Sequence, residues 1–88
     1  MSINNSHATS ETSIQLLIDH AITQVPKLNS GEKFMARDLF LGYEWNRLTN
    51  YVRAQVGSGF YHQYAKEDAS EVTILEKTAR NQQLYRKN

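Results

Sequence analysis

Apolar residues follow a helical period near the start of the chain. Between residues 13 and 25 they recur every three or four positions, which places them on one face of an amphipathic helix. Thr12 and Gln15 have the spacing of a capping box, and Pro26 ends the pattern. We therefore predict a first helix over residues 13–25, whose apolar stripe consists of Ile14, Leu17, Ile18, Ala21, Ile22 and Val25.

A second helical period runs through residues 50–66, directly after Thr49, a residue type that caps helices. Its predicted buried face carries Val52, Val56, Phe60 and Tyr64. Gly57 and Gly59 lie inside this segment, and each costs about 1 kcal/mol of helix propensity relative to alanine. Such glycines mark close backbone packing or a break, so the continuity of this helix stays open.

Shorter patterns separate the two helices. Residues 27–32 predict a loop and residues 33–35 a brief strand. Residues 36–41 predict a short helix that Gly42 stops, with Leu39 and Phe40 facing inward. Residues 43–48 predict a turn or short helical piece that buries Trp45 and Leu48.

The C-terminal part predicts a β-hairpin. Residues 72–76 are rich in β-branched side chains, residues 77–81 have turn character, and residues 82–87 form the return strand with Leu84 inward. Because an isolated hairpin is marginally stable, we expect the brief strand near Phe34 to add a third strand. Residues 67–71 predict an acidic linker before the hairpin.

The order of elements predicts an α+β fold of the winged helix-turn-helix type. Three helices pack on a small antiparallel sheet, and the C-terminal hairpin is the wing. The predicted domain covers residues 12–88. Residues 1–11 are polar and predict a disordered tail, without a signal peptide.

Composition favours binding over catalysis. A chain of 88 residues has a modest core and no room for a deep substrate cavity. The absence of cysteine excludes disulfides and favours a reducing, cytoplasmic location. The three histidines, His7, His20 and His62, lack ligand spacing. We expect no enzyme activity, cofactor, metal or membrane partner.

The charge is unevenly distributed although the net charge is only +1. Basic residues outnumber acidic ones in residues 33–66 and 72–88, and the acidic linker interrupts them. This distribution is compatible with a polyanionic partner, but a solvated surface of mixed charge would look similar.

Several motifs resemble a known family. They are F-x-x-R-D-L-F-x-G-Y-E-W-N-R-L over residues 34–48, R-x-x-x-G-x-x-F over residues 53–60, and T-x-x-N-x-x-x-Y-R-K over residues 78–87. Together they resemble a family of small bacterial proteins of unknown function, several from Gram-positive bacteria and their mobile elements. The resemblance implies a winged-helix fold and no particular activity. The chain departs from the pattern at Asn50 and Tyr51, where the family often has a more basic turn.

The helix over residues 50–66 would be the recognition helix for duplex DNA. Asparagine and glutamine can pair with adenine in the major groove, and small side chains allow close approach. The face has no central arginine or lysine, so a tyrosine-rich surface for a protein partner stays open as the alternative. The candidate DNA contacts on this helix are Asn50, Tyr51, Ala54, Gln55, Ser58, Tyr61 and His62.

Basic side chains around the helix and hairpin are candidate phosphate contacts. They are Arg47, Lys66, Lys77, Arg80, Arg86 and Lys87. Arg53 is expected instead to pair with Asp38 or Glu44 as a structural link. Tyr51, Tyr61 and Tyr64 with His62 are a lesser candidate for stacking the bases of a single strand.

Self-association is a further possibility. The stripe of the first helix is generous for so small a core, and part of it could pair with a second copy. A monomer that uses the whole stripe internally stays open as the alternative.

Overall fold

A computed structural model of the protein describes residues 11–66 and 71–88, with the side chains of Glu11, Thr12 and Lys66 left aside. Within these residues the chain forms three α-helices and a three-stranded antiparallel sheet, which confirms the predicted α+β class. The helices are α1 (Glu11–Gln24), α2 (Gly42–Asn46) and α3 (Asn50–Lys66), and the strands are β1 (Lys33–Phe34), β2 (Val72–Lys77) and β3 (Gln83–Lys87). Glu11, which was predicted to end the tail, begins α1 instead. The rest of the predicted tail and most of the predicted acidic linker lie outside the described residues.

Helix α1 presents its predicted stripe to the rest of the protein. Ile18, Ala21 and Val25 are buried, and the other stripe residues are partly buried. The α-helix ends one residue earlier than predicted, and a 3-10 turn, Val25–Lys27, follows it. Pro26 fits this turn because it lies at the start of the helical turn. A backbone N–H at that position has no acceptor within the turn, so the N–H that proline lacks costs no hydrogen bond.

The segment before α2 differs from the prediction. Residues Ala36–Leu39 form a 3-10 turn, and Phe40 leaves it in an extended conformation. Asp38 holds this turn because its Oδ2 accepts a hydrogen bond from the backbone N–H of Met35 at 2.8 Å. The prediction that Gly42 stops a helix is wrong, since Gly42 begins α2.

Trp45 is less buried than predicted, although it packs against the core cluster of Ile18, Val52 and Val56. It is half-buried, and its ring lies 5.4 Å from the ring of Phe40. Leu48 is also half-buried. Helix α2 has no buried residue, because it lies across the outside of the junction between α1 and α3.

Helix α3 is continuous through both glycines. Thr49 Oγ1 accepts a hydrogen bond from the backbone N–H of Val52 at 3.2 Å, so the predicted cap is confirmed. Its predicted buried face is confirmed as well, since Val52, Val56, Phe60 and Tyr64 are all buried. A methyl group added at Gly59 would overlap Cδ1 of Ile18, so this glycine permits the close approach of α1.

The strand order is β1–β3–β2, so the brief strand does join the hairpin as predicted. Tyr85 pairs with Phe34 on one side and with Ile74 on the other. The Tyr85 ring stacks on Phe34 at 5.5 Å and meets the edge of Phe60 at 5.1 Å. The prediction that Leu84 faces inward is therefore wrong, because this register directs Tyr85 into the core and its neighbour to the other face of the sheet.

Among the described helices, none has the length and apolarity needed to cross a membrane.

Candidate nucleic-acid interface

One face of α3 is open to solvent along its whole described length. Every candidate contact predicted on this helix is exposed, including Tyr51 at 65% and Tyr61 at 39%. The exposure follows from the helical period, because the buried residues at spacing four occupy the opposite face. The contact face, as we call it, consists of Asn50, Tyr51, Ala54, Gln55, Ser58, Tyr61 and His62.

A groove of about 810 Å³ separates one side of the contact face from the tip of the hairpin. We call it the hairpin groove. Its α3 wall is low because it is built from the small residues Ala54, Gly57 and Ser58, with Tyr61 at one end. The 3-10 turn contributes Arg37 and α2 contributes Trp45. The hairpin wall consists of Lys77, Asn81, Gln82, Gln83 and Tyr85.

The hairpin groove is basic. Three basic residues, Arg37, Arg53 and Lys77, and no acidic residue line it among the described part of the chain. The side chains of Arg37 and Lys77 are exposed and form no hydrogen bond or ion pair with any other described residue. Asn81 and the two glutamines add amide groups that can donate or accept hydrogen bonds.

Arg53 is a structural link, but the predicted carboxylate partners are wrong. Its Nε donates to the carbonyl oxygen of Trp45 at 3.2 Å, and its NH2 nitrogen donates to that of Asn46 at 2.9 Å. Its NH1 nitrogen donates to Oδ1 of Asn50 at 3.3 Å. The last carbonyls of a helix lack partners within the helix, and an arginine one turn into the next helix is long enough to reach them. Arg53 thereby fixes α2 against α3 at the floor of the groove.

The hairpin tip holds its shape through its own hydrogen bonds. Thr78 Oγ1 accepts from the backbone N–H groups of Arg80 and Gln82, at 3.3 and 3.2 Å. Asn81 adopts a left-handed conformation with φ of 66°, which asparagine tolerates better than most residues. A bulge between Ile74 and Lys77 breaks the ladder, and the side chain of Gln83 donates to the carbonyl of Leu75 inside it. The bulge changes the direction of the strand just before Lys77.

The predicted basic contacts do not all converge. Lys77 lines the hairpin groove, and Arg80 is exposed at the tip beside it. Arg86 and Lys87 lie at the far end of β3, where Arg86 is paired with Lys33 of β1, so they do not line the groove. Lys66 ends α3, and its side chain is outside the described part of the structure.

Arg47 and Tyr51 line a different depression, on the other side of α3. This apolar recess has a volume of about 930 Å³ and lies between α1, α2 and the start of α3. Arg47 already lies over the ring of Tyr43, with 4.8 Å from its Cζ to the ring centre. The recess is lined mainly by Ile14, Leu16, Leu17, Phe40, Leu48, Tyr51 and Val52, with the charged residues Glu44 and Arg47.

Sequence reasoning missed part of the groove. Arg37 belongs to the R-D-L-F motif, but the sequence predicts only a short helix there, with Leu39 and Phe40 facing inward, and assigns Arg37 no binding role. Asn81, Gln82 and Gln83 were assigned to a turn and strand without a binding role. The polar composition of the turn could have indicated Asn81. That Arg37 and Lys77 line the same groove depends on how the hairpin folds back onto α3, which has no local signal in the sequence.

The site offers no metal centre among the described residues, where no cluster of histidine, aspartate and glutamate is close enough to hold an ion. Tyr85 forms part of the groove's base, and burial raises its pKa well above the usual value for tyrosine. The hydroxyl therefore stays protonated and can act as a hydrogen-bond donor across the physiological range.

Comparisons with known proteins give a family and a fold. A family model described as a domain of unknown function (DUF1413) matches residues 19–87. A solved structure named "SCCmec type IV LP1413 - nucleic acids binding protein" is similar, with a TM-score of 0.67 and 18% sequence identity. The similarity covers 88% of this chain and 95% of that one, and at this identity it establishes a shared fold. No curated protein matches the sequence.

Proposed function

The chain belongs to the DUF1413 family, a domain of unknown function, and we propose that it acts by binding DNA. The observation that carries this proposal is the hairpin groove, lined by three basic residues and no acidic one among the described part of the chain. A basic depression beside an exposed helix is the electrostatic pattern of a nucleic-acid site. The similar structure named as a nucleic-acid-binding protein supports the same class of ligand.

We further propose that the fold works as a winged helix on duplex DNA in the cytoplasm. Helix α3 enters the major groove, where Gln55 and Ser58 face base edges, and the hairpin is the wing. Arg37 and Lys77, which both line the hairpin groove, then contact DNA phosphates. Arg80 at the hairpin tip contacts the DNA backbone farther along the duplex. We propose this binding without an accompanying catalytic activity.

Direct binding measurements test this proposal. Fluorescence anisotropy would be followed with a random 20-base-pair duplex and with one of its single strands, at ~50 and ~200 mM salt. We expect affinity that falls with salt. The variants Arg37→Gln and Lys77→Gln should each weaken binding and reduce the salt slope by about one. Lys27→Gln is the matched control, because Lys27 is exposed and lines neither depression.

The outcomes distinguish DNA binding as such from insertion of α3 into the major groove of a duplex. No binding of either form at ~50 mM salt and micromolar protein would count against DNA as the ligand. Preferred binding of the single strand would keep the basic groove as the site but overturn insertion of α3 into a major groove. Equal losses for Lys27→Gln and Lys77→Gln would indicate nonspecific attraction to a positive protein.

A protein partner is the second candidate. It is favoured by the contact face itself, which carries exposed Tyr51 and Tyr61 and no arginine or lysine at its centre. In that case one protein would be captured in stoichiometric amount, nuclease would not release it, and Tyr61→Ala would abolish capture without changing the circular dichroism spectrum. Release of the captured protein by nuclease would indicate that the contact face binds nucleic acid.

A further inference from the structure

The apolar recess is a second surface, and it is separate from the hairpin groove. The two depressions lie on opposite sides of the contact face of α3 and share no lining residue. The inner wall of the recess is apolar and partly buried, with Ile14, Leu17 and Leu48 among its residues. Two large apolar side chains at the recess are more exposed than any of the other described ones, Leu16 at 64% and Tyr51 at 65%. The same patch therefore contains both a recess and the side chains that could fill one.

The charges at the recess are balanced. Its lining holds one acidic residue, Glu44, and one permanently charged basic residue, Arg47. Glu44 lies in the middle of α2 and Arg47 is the cap at its C-terminal end, and neither forms an ion pair with a described residue. Contacts across a twofold axis are reciprocal, so a patch that carries one acidic and one basic group can form the same opposite-charge pair twice. A polyanion would instead meet repulsion from Glu44 and little positive charge.

We propose that the apolar recess is the interface between two copies of this chain, related by a twofold axis. Leu16 of each copy enters the recess of the other, and Glu44 of each copy pairs with the second copy's Arg47. The preceding segment of the same chain is a poorer occupant, because residues 1–10 contain only Met1 and Ile3 as large apolar residues. A second copy supplies both an exposed Leu16 side chain and the complementary charges of Glu44 and Arg47.

This interface changes the role of two residues. Tyr51 and Arg47 become buried between the copies and are withdrawn from DNA contact. The hairpin groove lies on the other side of α3, so each dimer presents two such grooves. The dimer does not depend on the proposed function, because it forms without nucleic acid.

The first test measures mass with the full-length chain in the absence of nucleic acid. Sedimentation or light scattering from ~5 μM to ~0.5 mM should show a monomer–dimer equilibrium. Leu16→Ser should weaken dimerisation about tenfold or more, as expected for truncating a central apolar anchor. Leu41→Ser is the matched control, since Leu41 is 58% exposed and lies outside the recess.

The second test uses charge. Glu44→Arg and Arg47→Glu should each remain monomeric at concentrations where the unmodified protein dimerises. An equimolar mixture of the two variants should form a heterodimer, because both intermolecular pairs are then of opposite charge. A monomer throughout the concentration series, dimerisation unchanged by Leu16→Ser, or failure of the mixed variants to associate would each overturn the proposal.

Discussion

Helix α3 meets two very different neighbours. On the side of α1 it packs most closely at Gly59, which lies directly under the side chain of Ile18. On the side of the hairpin tip its first half is held apart by the hairpin groove, and nothing lies within 4 Å of the position that a methyl group at Gly57 would occupy. Two glycines two positions apart thus differ in role: Gly59 allows close helix contact, whereas Gly57 borders open space.

The difference teaches how this small chain divides stability from binding. Towards α1, the missing side chain lets Val52 and Val56 form a continuous cluster with Ile18. Towards the hairpin, small side chains lower the groove wall and leave the charges of Arg37 and Lys77 accessible. The second half of α3 closes the core against the sheet through Phe60, so the groove stays open without loss of the fold.

The largest effect is expected where the hairpin closes on α3. Tyr85→Ala should lower the free energy of unfolding by about 3–5 kcal/mol, because a fully buried aromatic ring leaves a cavity between Phe34 and Phe60. Leu84→Ala, the neighbouring half-buried position, should cost less than about 2 kcal/mol. Urea denaturation of both variants measures the difference. Equal losses would mean that the hairpin packs through the other face of its strands.

The two glycines provide the next test, and it addresses the two sides of α3 directly. Both Gly57→Ala and Gly59→Ala gain the same helix propensity of up to about 1 kcal/mol. Only the second forces Ile18 to move, so Gly57→Ala should be more stable than Gly59→Ala by about 1–3 kcal/mol. Thermal or urea unfolding compares the pair. If both variants are stabilised alike, α1 and α3 are not in close contact.

Much of the fold was predictable because it depends on local pattern. The stripe of α1, the Thr49 cap and the buried face of α3 all follow from periodicity and capping. The orientation of the last strand did not follow, because Leu84 and Tyr85 are both suitable core residues and the choice depends on pairing with Phe34. Whether α3 continued through its glycines was likewise decided by a distant contact, that of Gly59 with Ile18.

The candidate site was less predictable. The exposed face of α3 follows from helical geometry, so the sequence pattern predicts its residues correctly. The hairpin groove depends on the bulge before Lys77 and on the fold of the 3-10 turn that carries Arg37, neither of which has a local signature. Arg53 was recognised as structural, but its carbonyl partners become available only because α2 ends directly in front of α3.

The smallest effect at neutral pH is expected at the far end of α3, where the helix meets the start of β2. Burial, and secondarily the Glu71 carboxylate that accepts a hydrogen bond from the Tyr64 hydroxyl at 3.5 Å, raises the pKa of Tyr64 to about 12. A pKa raised above the unfolded value of about 10 gives stability that is complete below pH 10 and is lost as pH rises towards 12. Tyr64→Phe should change the free energy of unfolding at pH 7 by less than about 1 kcal/mol, and the fall of that free energy above pH 10 should become shallower.

The fall should not vanish in the variant, because burial shifts the pKa of Tyr85 in the same direction. Urea denaturation at intervals from pH 7 to 11.5 measures this, with Tyr43→Phe at an exposed position as the control. If Tyr64→Phe and the unmodified protein lose stability in parallel above pH 10, the hydroxyl is in contact with water and α3 does not close on the sheet at this end.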